Sequence, residues 1–288
     1  MSSDIVLGTA TRQNLLALQG INTNLDTTQG HLATGLKVAS ALDDAVKFFQ
    51  AQSLTDRAND LTLRKNSIDQ GISSLTTATN AAQSAVSILQ QLQGILNSAK
   101  TQTDTQRKAS ATQFDTLATN LNTLLSDASY QGLNLVNSTK TALTLQFSNS
   151  TKSTLKVSGH ELNYSKVVSA AVTKASHAAT VIVSVGAWSK VSLKTSAFDK
   201  GFQLLQNAIA TVQAAAASIG GNVTFLQSRL DFTSQYIVTL QGGASKLTVA
   251  DVNEESTNLV TLQTRQSLSI QSLSIATQSE QAVLRLFR

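Results

Sequence analysis

The chain has 288 residues and a formal net charge of +5, which leaves room for one or two domains with a sizeable apolar core. It contains no cysteine and no proline, so disulfide and thiol chemistry are excluded and no proline interrupts a helix. Aromatic residues make up only 5% of the chain. The apolar positions are mostly Leu, Val, Ile and Ala, which are typical of long helices that pack side by side.

The first third of the chain has a helical pattern. Leu18, Ile21 and Leu25 mark one face of a predicted helix over residues 4–33. From Leu54, alternating steps of four and three residues reach mostly apolar side chains as far as Leu96, and this heptad seam predicts a long helix in a bundle or coiled coil. We expect ten side chains of this helix and of a later one to pack the bundle: Leu54, Leu61, Ile68, Ile72, Leu75, Val86, Leu89, Leu96, Leu226 and Leu230.

Two adjacent acids, Asp43 and Asp44, lie just before this long helix. As catalytic groups they would need burial in a cleft. A position at a helix N-terminus favours another role, because carboxylates there accept hydrogen bonds from free backbone N–H groups and oppose the helix dipole. The sequence therefore predicts a structural cap, with catalysis as the weaker alternative.

A third helix is predicted from about residue 106 to 129, and the apolar period then changes to two over residues 133–195. Alternating side chains at 143–147, 155–157 and 181–185 predict short strands there.

Helical spacing resumes at Phe198 and crosses Gly220-Gly221, where we expect a flexible or bent point. After Gly242-Gly243 a last helix is predicted from about residue 250 to the end. The predicted fold class is therefore mainly α, a long antiparallel helical hairpin or coiled-coil bundle with a small β-rich insert.

The net positive charge of the chain comes from its middle segment. Residues 140–200 contain eight lysines, but only Glu161 and Asp199 as acids. Aromatic residues that could stack on bases are few in this segment, Tyr164 and Trp188 among them, which argues against nucleic acid as a partner. Lysines on short strands protect sheet edges from pairing, or they contact an acidic polymer. The candidates for such contact are Lys152, Lys156, Lys166, Lys174, Lys190 and Lys194.

Groups suited to catalysis or metal binding are sparse in the sequence. The three histidines are isolated, without the paired spacing of a zinc motif, and the glycine pairs form no phosphate-binding pattern. We interpret His31 and His160 as surface residues, and we expect no enzymatic activity, no cofactor and no metal. The N-terminus lacks the pattern of a secretory signal peptide, and we expect no stretch that approaches a membrane span.

Both ends of the chain carry specific motifs. The stretch DVNEESTNLVTLQTRQSLSIQSLSIATQSEQAVLRLFR resembles the flagellin C-terminal domain in its acidic opening, its SIQSLSIATQ run and its closing LRLFR. The N-terminal LATGLKVASALDDA is similar to the matching flagellin segment, and FFQAQSLTDRANDL and LQSRLDFT resemble the alphaproteobacterial type. The resemblance covers about residues 1–140 and 196–288, in the right order.

This resemblance implies a structural subunit that is exported unfolded through the flagellar secretion channel and polymerises outside the cell into a filament for motility. Other copies of the chain, a filament cap, hook-junction proteins and an export chaperone are the implied partners. A hook–filament junction protein of the same superfamily is an alternative, and so is a surface filament with an added polysaccharide-adhesion role.

The resemblance also implies a division of the chain, in which the first and last helices pair in the filament core. The implied parts are an N-terminal core helix and connector (1–45), N-terminal shell helices (46–139), an outward-facing variable insert (140–196), a C-terminal shell helix (197–245) and a C-terminal core helix (246–288). The core and shell parts are the D0 and D1 domains of the family. The expected filament-core side chains are Leu7, Leu15, Leu18, Ile21, Leu25, Leu32, Leu268, Ile270, Leu273, Ile275, Val283, Leu284, Leu286, Phe287 and Arg288.

Overall fold

The computed structural model describes residues 9–150, 152–172 and 195–286. Within these ranges the chain is mainly helical with one small sheet, which confirms the predicted fold class. The elements in chain order are α1 (Thr9–Thr34), α2 (Ala45–Ala99), α3 (Asp104–Asp127), β1 (Ala142–Gln146), β2 (Thr154–Ser158), α4 (Tyr164–Val172), α5 (Thr195–Thr248) and α6 (Val252–Leu286).

The chain divides into two compact units, and α2 and α5 contribute residues to both. The first unit contains the described residues of 1–58 and 238–288, and the second contains those of 59–237. In the first unit α1 packs against α6. The antiparallel direction of this pair follows from two side-chain contacts, since Asn22 bonds to Gln266 while the later residue His31 bonds to the earlier residue Glu255.

A short backbone ladder fixes the end of α1 within the first unit. The Lys37 N–H donates to the Thr248 carbonyl at 2.7 Å, and the Ala250 N–H donates to the Gly35 carbonyl at 3.0 Å. Gly35 has a φ of +71°, and its N–H returns to the His31 carbonyl at 2.8 Å. This left-handed residue ends α1 and turns the chain into the ladder, a conformation that glycine adopts without a Cβ penalty.

The core of the second unit is built by α2, α3, α4, α5 and the hairpin. Apolar side chains of α2 recur at spacings of three and four residues and face α3 and α5 side chains in one cluster. Its largest fully buried members are Ile68, Leu75, Leu89, Leu92, Leu96, Phe114, Leu121, Leu125, Leu135 and Phe198.

Strands β1 and β2 pair antiparallel, with Thr144 opposite Lys156 and Leu145 opposite Leu155. Leu145 and Val157 are buried in the core of the second unit, which explains the period of two in the sequence. Leu145 lies over Gly71 of α2, where a Cβ would come within 2.5 Å of its Cδ1 atom. The third predicted strand, at 181–185, lies outside the described residues.

Helix α4 differs from the sequence prediction, which placed only strands over residues 133–195. Tyr164, Val167 and Val168 are buried at helical spacing, and Asn163 caps the helix by accepting the Lys166 N–H at 2.9 Å. The buried face of α4 is too short for a helical period of about 3.6 residues to stand out from the alternating pattern on either side, so the sequence pattern did not reveal this helix.

Helix α5 also differs from its prediction at both glycine pairs. It is continuous across Gly220-Gly221 and through Gly242-Gly243, and it ends only at Thr248. Ile219 and Leu226 on either side of the first pair are buried in the core, so tertiary packing holds the helix together there. A Cβ at Gly243 would lie 3.4 Å from the Leu54 Cδ1, which is an ordinary contact distance, so packing in the first unit does not require glycine at this position.

One helix of the described ranges has the length and composition of a membrane span. It comprises Phe198–Thr248 of α5 and contains a stretch of mean hydropathy 1.3, of which 22% is buried. The expectation that no stretch approaches a span is therefore wrong by this measure. A single such helix is weak evidence for a span, because core helices meet the same criteria, and Leu205, Ala208 and Val212 of α5 are fully buried.

Candidate assembly interface

The terminal helices α1 and α6 bury only part of their apolar surface against each other. Leu25 is buried, whereas Leu18, Ile21, Leu32 and Leu273 are half-buried. Four other predicted filament-core side chains are exposed: Leu15, Leu268, Ile270 and Ile275. For the remaining ones, Leu7, Val283, Leu284, Leu286, Phe287 and Arg288, the side chains lie outside the described part of the chain.

The exposed apolar side chains of α6 form a surface that this chain does not cover within its described residues. Val260, Leu268, Ile270 and Ile275 are each more than half exposed. With about 3.6 residues per helical turn, these four positions lie within roughly one half of the circumference of α6. The buried and half-buried positions of α6 lie mostly on the other half, so α1 covers one side of the helix and leaves the opposite side open. A helix that is apolar on more than one side is suited to packing against additional helices.

His31 and Glu255 join α1 to α6, although the sequence suggested a surface histidine. The His31 Nδ1 lies 3.1 Å from the Glu255 Oε1, and Glu255 is only 5% exposed. The surface interpretation of His31 is therefore wrong. Sequence reasoning missed the pair because its members are 224 residues apart and neither lies in a recognisable motif.

The ten predicted bundle side chains are all at least half-buried. Leu61, Ile68, Leu75, Leu89, Leu96 and Leu226 are buried, and Leu54, Ile72, Val86 and Leu230 are half-buried. Counting a single seam omitted Ala78, Ala85, Leu92 and Ala99, which are equally buried on α2. These residues belong to a second packing face, which one heptad count cannot describe.

Three of the six candidate lysines fall within the described residues, and all three are exposed. Lys156 lies on β2 opposite Thr144, and Lys166 lies 3.6 Å from Glu161. Lys152 lines an open cleft with Phe147 and Phe232. Lys174, Lys190 and Lys194 lie outside the described residues.

The same cleft contains an aromatic cluster on α5 that the sequence patterns did not single out. The Arg229 guanidinium lies 5.1 Å from the ring centroids of both Phe147 and Phe232, which is the geometry of a cation–π contact. The Phe225 ring meets Phe147 edge to face at 6.1 Å, and Tyr236 stacks on Phe232. Phe225 and Phe232 are about half exposed.

Asp43 and Asp44 shape the turn before α2, much as the sequence predicted. The Asp44 Oδ1 accepts the Lys47 N–H at 3.0 Å, so Asp44 is the cap of α2. This bond and the Lys47 side chain hold the pKa of Asp44 below its ordinary value. Asp43 instead closes the turn, and hydrogen bonds from Ser40 lower the pKa of its carboxyl group.

Within residues 9–150, 152–172 and 195–286, no group of three or more His, Cys, Asp or Glu side chains is placed to hold a metal ion. Tyr164 is the one buried ionisable group whose pKa departs upward among these residues, and burial with the nearby charge of Asp115 raises it. Its ring packs edge to face on Phe114 at 6.1 Å in the core.

Comparison with known proteins relates both ends of the chain to one family. Residues 8–141 match the bacterial flagellin N-terminal helical region, and residues 202–287 match the bacterial flagellin C-terminal helical region. The chain belongs to the flagellin family. The two regions supply α1 to α3 and most of α5 with α6, so the flagellin regions contain both helices of the α1–α6 pair.

Curated flagellins of alphaproteobacteria are among its relatives. Flagellin A of Rhizobium meliloti is 40% identical over 102 residues, which are 34% of this chain and 25% of that protein. The flagellin of Brucella melitensis is 32% identical over 165 residues, or 57% of this chain and 56% of that protein. The matched stretches therefore span between a quarter and about half of the length of these relatives.

Among solved structures, a protein of Vibrio parahaemolyticus described as flagellar hook-associated has a TM-score of 0.59 to this chain. The match covers 72% of this chain and all of that structure at 14% identity. At this identity the likeness shows only a shared helical fold. It does not distinguish a hook-associated protein from a filament protein.

Proposed function

We propose that this chain is the structural subunit of a bacterial flagellar filament. The observation that carries the proposal is the presence of both flagellin regions, in order, at the two ends of the chain, where they supply the paired helices α1 and α6. A polymer of identical subunits also explains why α6 keeps Val260, Leu268 and Ile270 exposed in a single chain, since neighbouring copies would cover them.

On this proposal the chain contributes residues to both the core and the surrounding shell of the filament. The parts are those of the sequence division, with residues 1–45 and 246–288 in the core, 46–139 and 197–245 in the shell, and 140–196 facing outward. The role is structural and not enzymatic. The place of action is outside the cell, after export through the flagellar secretion channel with an export chaperone, and next to cap and hook-junction proteins.

The abundance of this chain in sheared surface filaments tests the filament role against a junction role. Filaments sheared from the producing cells and pelleted should contain this chain as their bulk protein, because a filament consists of many copies of its subunit. A junction protein would instead be confined to one filament end, so detection only at that end by immunogold labelling would contradict the proposal.

The terminal segment provides a second test. Removal of residues 283–288 should leave a chain that folds but no longer polymerises, because it deletes Val283, Leu284, Leu286 and Phe287 from the proposed core interface. Replacement of the polar residues Ser279 and Gln281 by alanine in the full-length chain is the matched control and should leave polymerisation intact. Normal filaments from the truncated chain would contradict the core role of this segment.

A further inference from the structure

The open cleft between the hairpin and α5 carries positive charge without a counter-charge. It has a volume of about 490 Å³, and Lys152 and Arg229 are the cations in its lining. Among the described residues no acidic side chain lines the cleft, and no salt bridge includes either cation. Phe147, Phe225 and Phe232 supply rings, so we call this site the aromatic cleft. Its volume lies within the range of about 300–1,000 Å³ that is typical of small-molecule sites.

Aromatic rings orient the Arg229 side chain, which has an unused hydrogen-bond donor. The guanidinium lies 5.1 Å from the ring centroids of both Phe147 and Phe232. The Nε atom is buried and has no hydrogen-bond partner in the part of the chain that the structure describes. A buried donor without a partner costs free energy and calls for an explanation. A planar guanidinium that is held between two rings and paired with no acid is arranged to bind a carboxylate in a bidentate manner.

Strand pairing sets the walls of the aromatic cleft before any ligand binds. The Phe147 N–H donates to the Ser153 carbonyl at 2.8 Å, directly beyond the pairing of Gln146 with Thr154. Phe147 is buried, and the ring of Phe225 packs edge to face against it. The cleft is therefore formed within a single chain, so that little conformational entropy is lost on binding.

We propose that the aromatic cleft binds a uronic acid residue of an acidic polysaccharide. The carboxylate of the sugar bonds to Arg229 and lies near the positive charge of Lys152. The C–H face of the sugar ring lies on Phe225 and Phe232, which are about half exposed and lose apolar surface to the ligand. Binding thus uses the charge and the rings of the cleft together.

Hydroxyl groups in the lining favour a sugar as the anionic ligand. Ser153, Thr154 and Ser228 line the cleft, and their hydroxyls both donate and accept hydrogen bonds, as the hydroxyls of a sugar require. Single-stranded nucleic acid is also anionic, but it binds along a groove that follows several phosphates in succession. A pair of cations in one cleft of this size fits one anionic group. The positive charge of residues 140–200 attracts a polyanion toward the cleft.

Titration calorimetry of the unpolymerised full-length chain with trigalacturonate tests the proposed site. The fully methyl-esterified trisaccharide is the control ligand, because it keeps the sugar rings and removes the charge. We expect binding of the acid that weakens as the salt concentration rises, and no binding of the ester. The inference goes beyond the filament function and does not rest on it, because the cleft lies within the second unit of one chain.

Variants of the lining should weaken binding according to the contact that each one loses. Arg229→Met keeps an unbranched stem between the rings and removes the donors, so the affinity should fall roughly 10- to 100-fold. Lys152→Gln, on the surface, should lower it about 2- to 5-fold. Lys108→Gln is the matched control, since this exposed lysine of α3 lies in the same unit but does not line the cleft, and it should leave the affinity unchanged. Urea unfolding of each variant checks that it folds.

Several outcomes would overturn the proposed site. These are no binding by the folded wild-type chain, equal binding of the acid and its ester, or unchanged affinity of Arg229→Met. If Arg229→Met does not fold, unchanged affinity in both Lys152→Gln and Phe232→Leu has the same meaning. Tighter binding of a short oligothymidylate than of trigalacturonate would assign the cleft to nucleic acid instead.

The assembled state separates this inference from the proposed function. Pelleted filaments should bind trigalacturonate as the free chain does. Binding that is lost in the filaments would mean that a neighbouring copy covers the cleft, and it would overturn the polysaccharide assignment. A chain that forms filaments but never binds trigalacturonate contradicts the inference alone. A chain that binds trigalacturonate but forms no filament contradicts the proposed function alone.

Discussion

The β-hairpin can pack closely against α2 because residue 71 is a glycine and has no side chain. A Cβ built at this position would lie 2.5 Å from the Leu145 Cδ1, 3.2 Å from Cδ2 and 3.3 Å from Cγ. Carbon atoms in contact prefer separations of about 3.5 to 4.0 Å, so Gly71→Ala requires Leu145 to move by about 1 Å. Leu145 is buried in the core of the second unit and is held by strand pairing with Leu155, which limits that movement.

Two opposing effects set the size of the change. Overpacking of a filled core costs about 1–3 kcal/mol. Replacing a helical glycine by alanine contributes about 0.5–1 kcal/mol of stability through the unfolded chain and helix propensity. Gly94, also on α2, has open space where a Cβ would lie, with no atom within 4 Å, so Gly94→Ala shows the second effect alone. We therefore expect the two variants to differ by about 1–3 kcal/mol in free energy of unfolding, with Gly71→Ala the less stable.

Urea unfolding followed by circular dichroism measures this difference, provided that the denaturant slope is the same for the variants. The double variant Gly71→Ala/Leu145→Ala separates the clash from other effects, because shortening Leu145 removes the atoms that Cβ would meet. Leu145→Ala alone should cost about 2–5 kcal/mol. In that background Gly71→Ala should become neutral or stabilising. If Gly71→Ala stabilises the wild-type chain as much as Gly94→Ala does, the close packing of Leu145 against Gly71 is refuted.

Three further predictions concern a cap, a buried pair and a core ring. The pKa of Asp44 lies below its ordinary value in the folded chain, so the ionised carboxylate stabilises the chain above about pH 4, and this effect is lost as the pH falls through the lowered pKa. Asp44→Asn should remove the contribution of Asp44 to the pH dependence of the helix content, measured between about pH 5 and pH 2. His31→Leu leaves the buried Glu255 carboxyl group without its partner and should destabilise the α1–α6 pair by about 1–3 kcal/mol. Glu255→Gln keeps an oxygen that can form the hydrogen bond, so it should cost less. Amide hydrogen exchange in α1 measures the difference between the two variants. Phe114→Ala should cost about 3–5 kcal/mol in urea unfolding because the ring is fully buried, and an unchanged midpoint would place this ring outside the core.

Long-period patterns carried most of what the sequence could predict about the fold. The seam from Leu54 to Leu96 lies within one continuous helix, because apolar spacing over many turns has few alternatives. The acids before it were interpreted correctly at Asp44, where the position next to a helix start fixes the chemistry. Short or two-sided features were less predictable. Helix α4 is only nine residues long, and the burial of Leu92 arises from a second packing face.

The candidate interface also has some features that the sequence could predict and others that it could not. Terminal motifs identified the family, because many specific positions in them act together. The His31–Glu255 pair could not be predicted, since contacts between residues far apart in the sequence depend on the register of α1 against α6.

Seeded polymerisation of the purified full-length chain tests the filament proposal most directly. Short fragments of filaments sheared from the producing cells are mixed with fluorescently labelled chain, and growth is followed by microscopy. The proposal predicts that the fragments elongate with labelled chain, and that electron microscopy of the new segments resolves α1 paired with α6 in every subunit. Labelled chain that stays monomeric at high concentration, while the same fragments elongate with unlabelled protein recovered from depolymerised filaments, would contradict it.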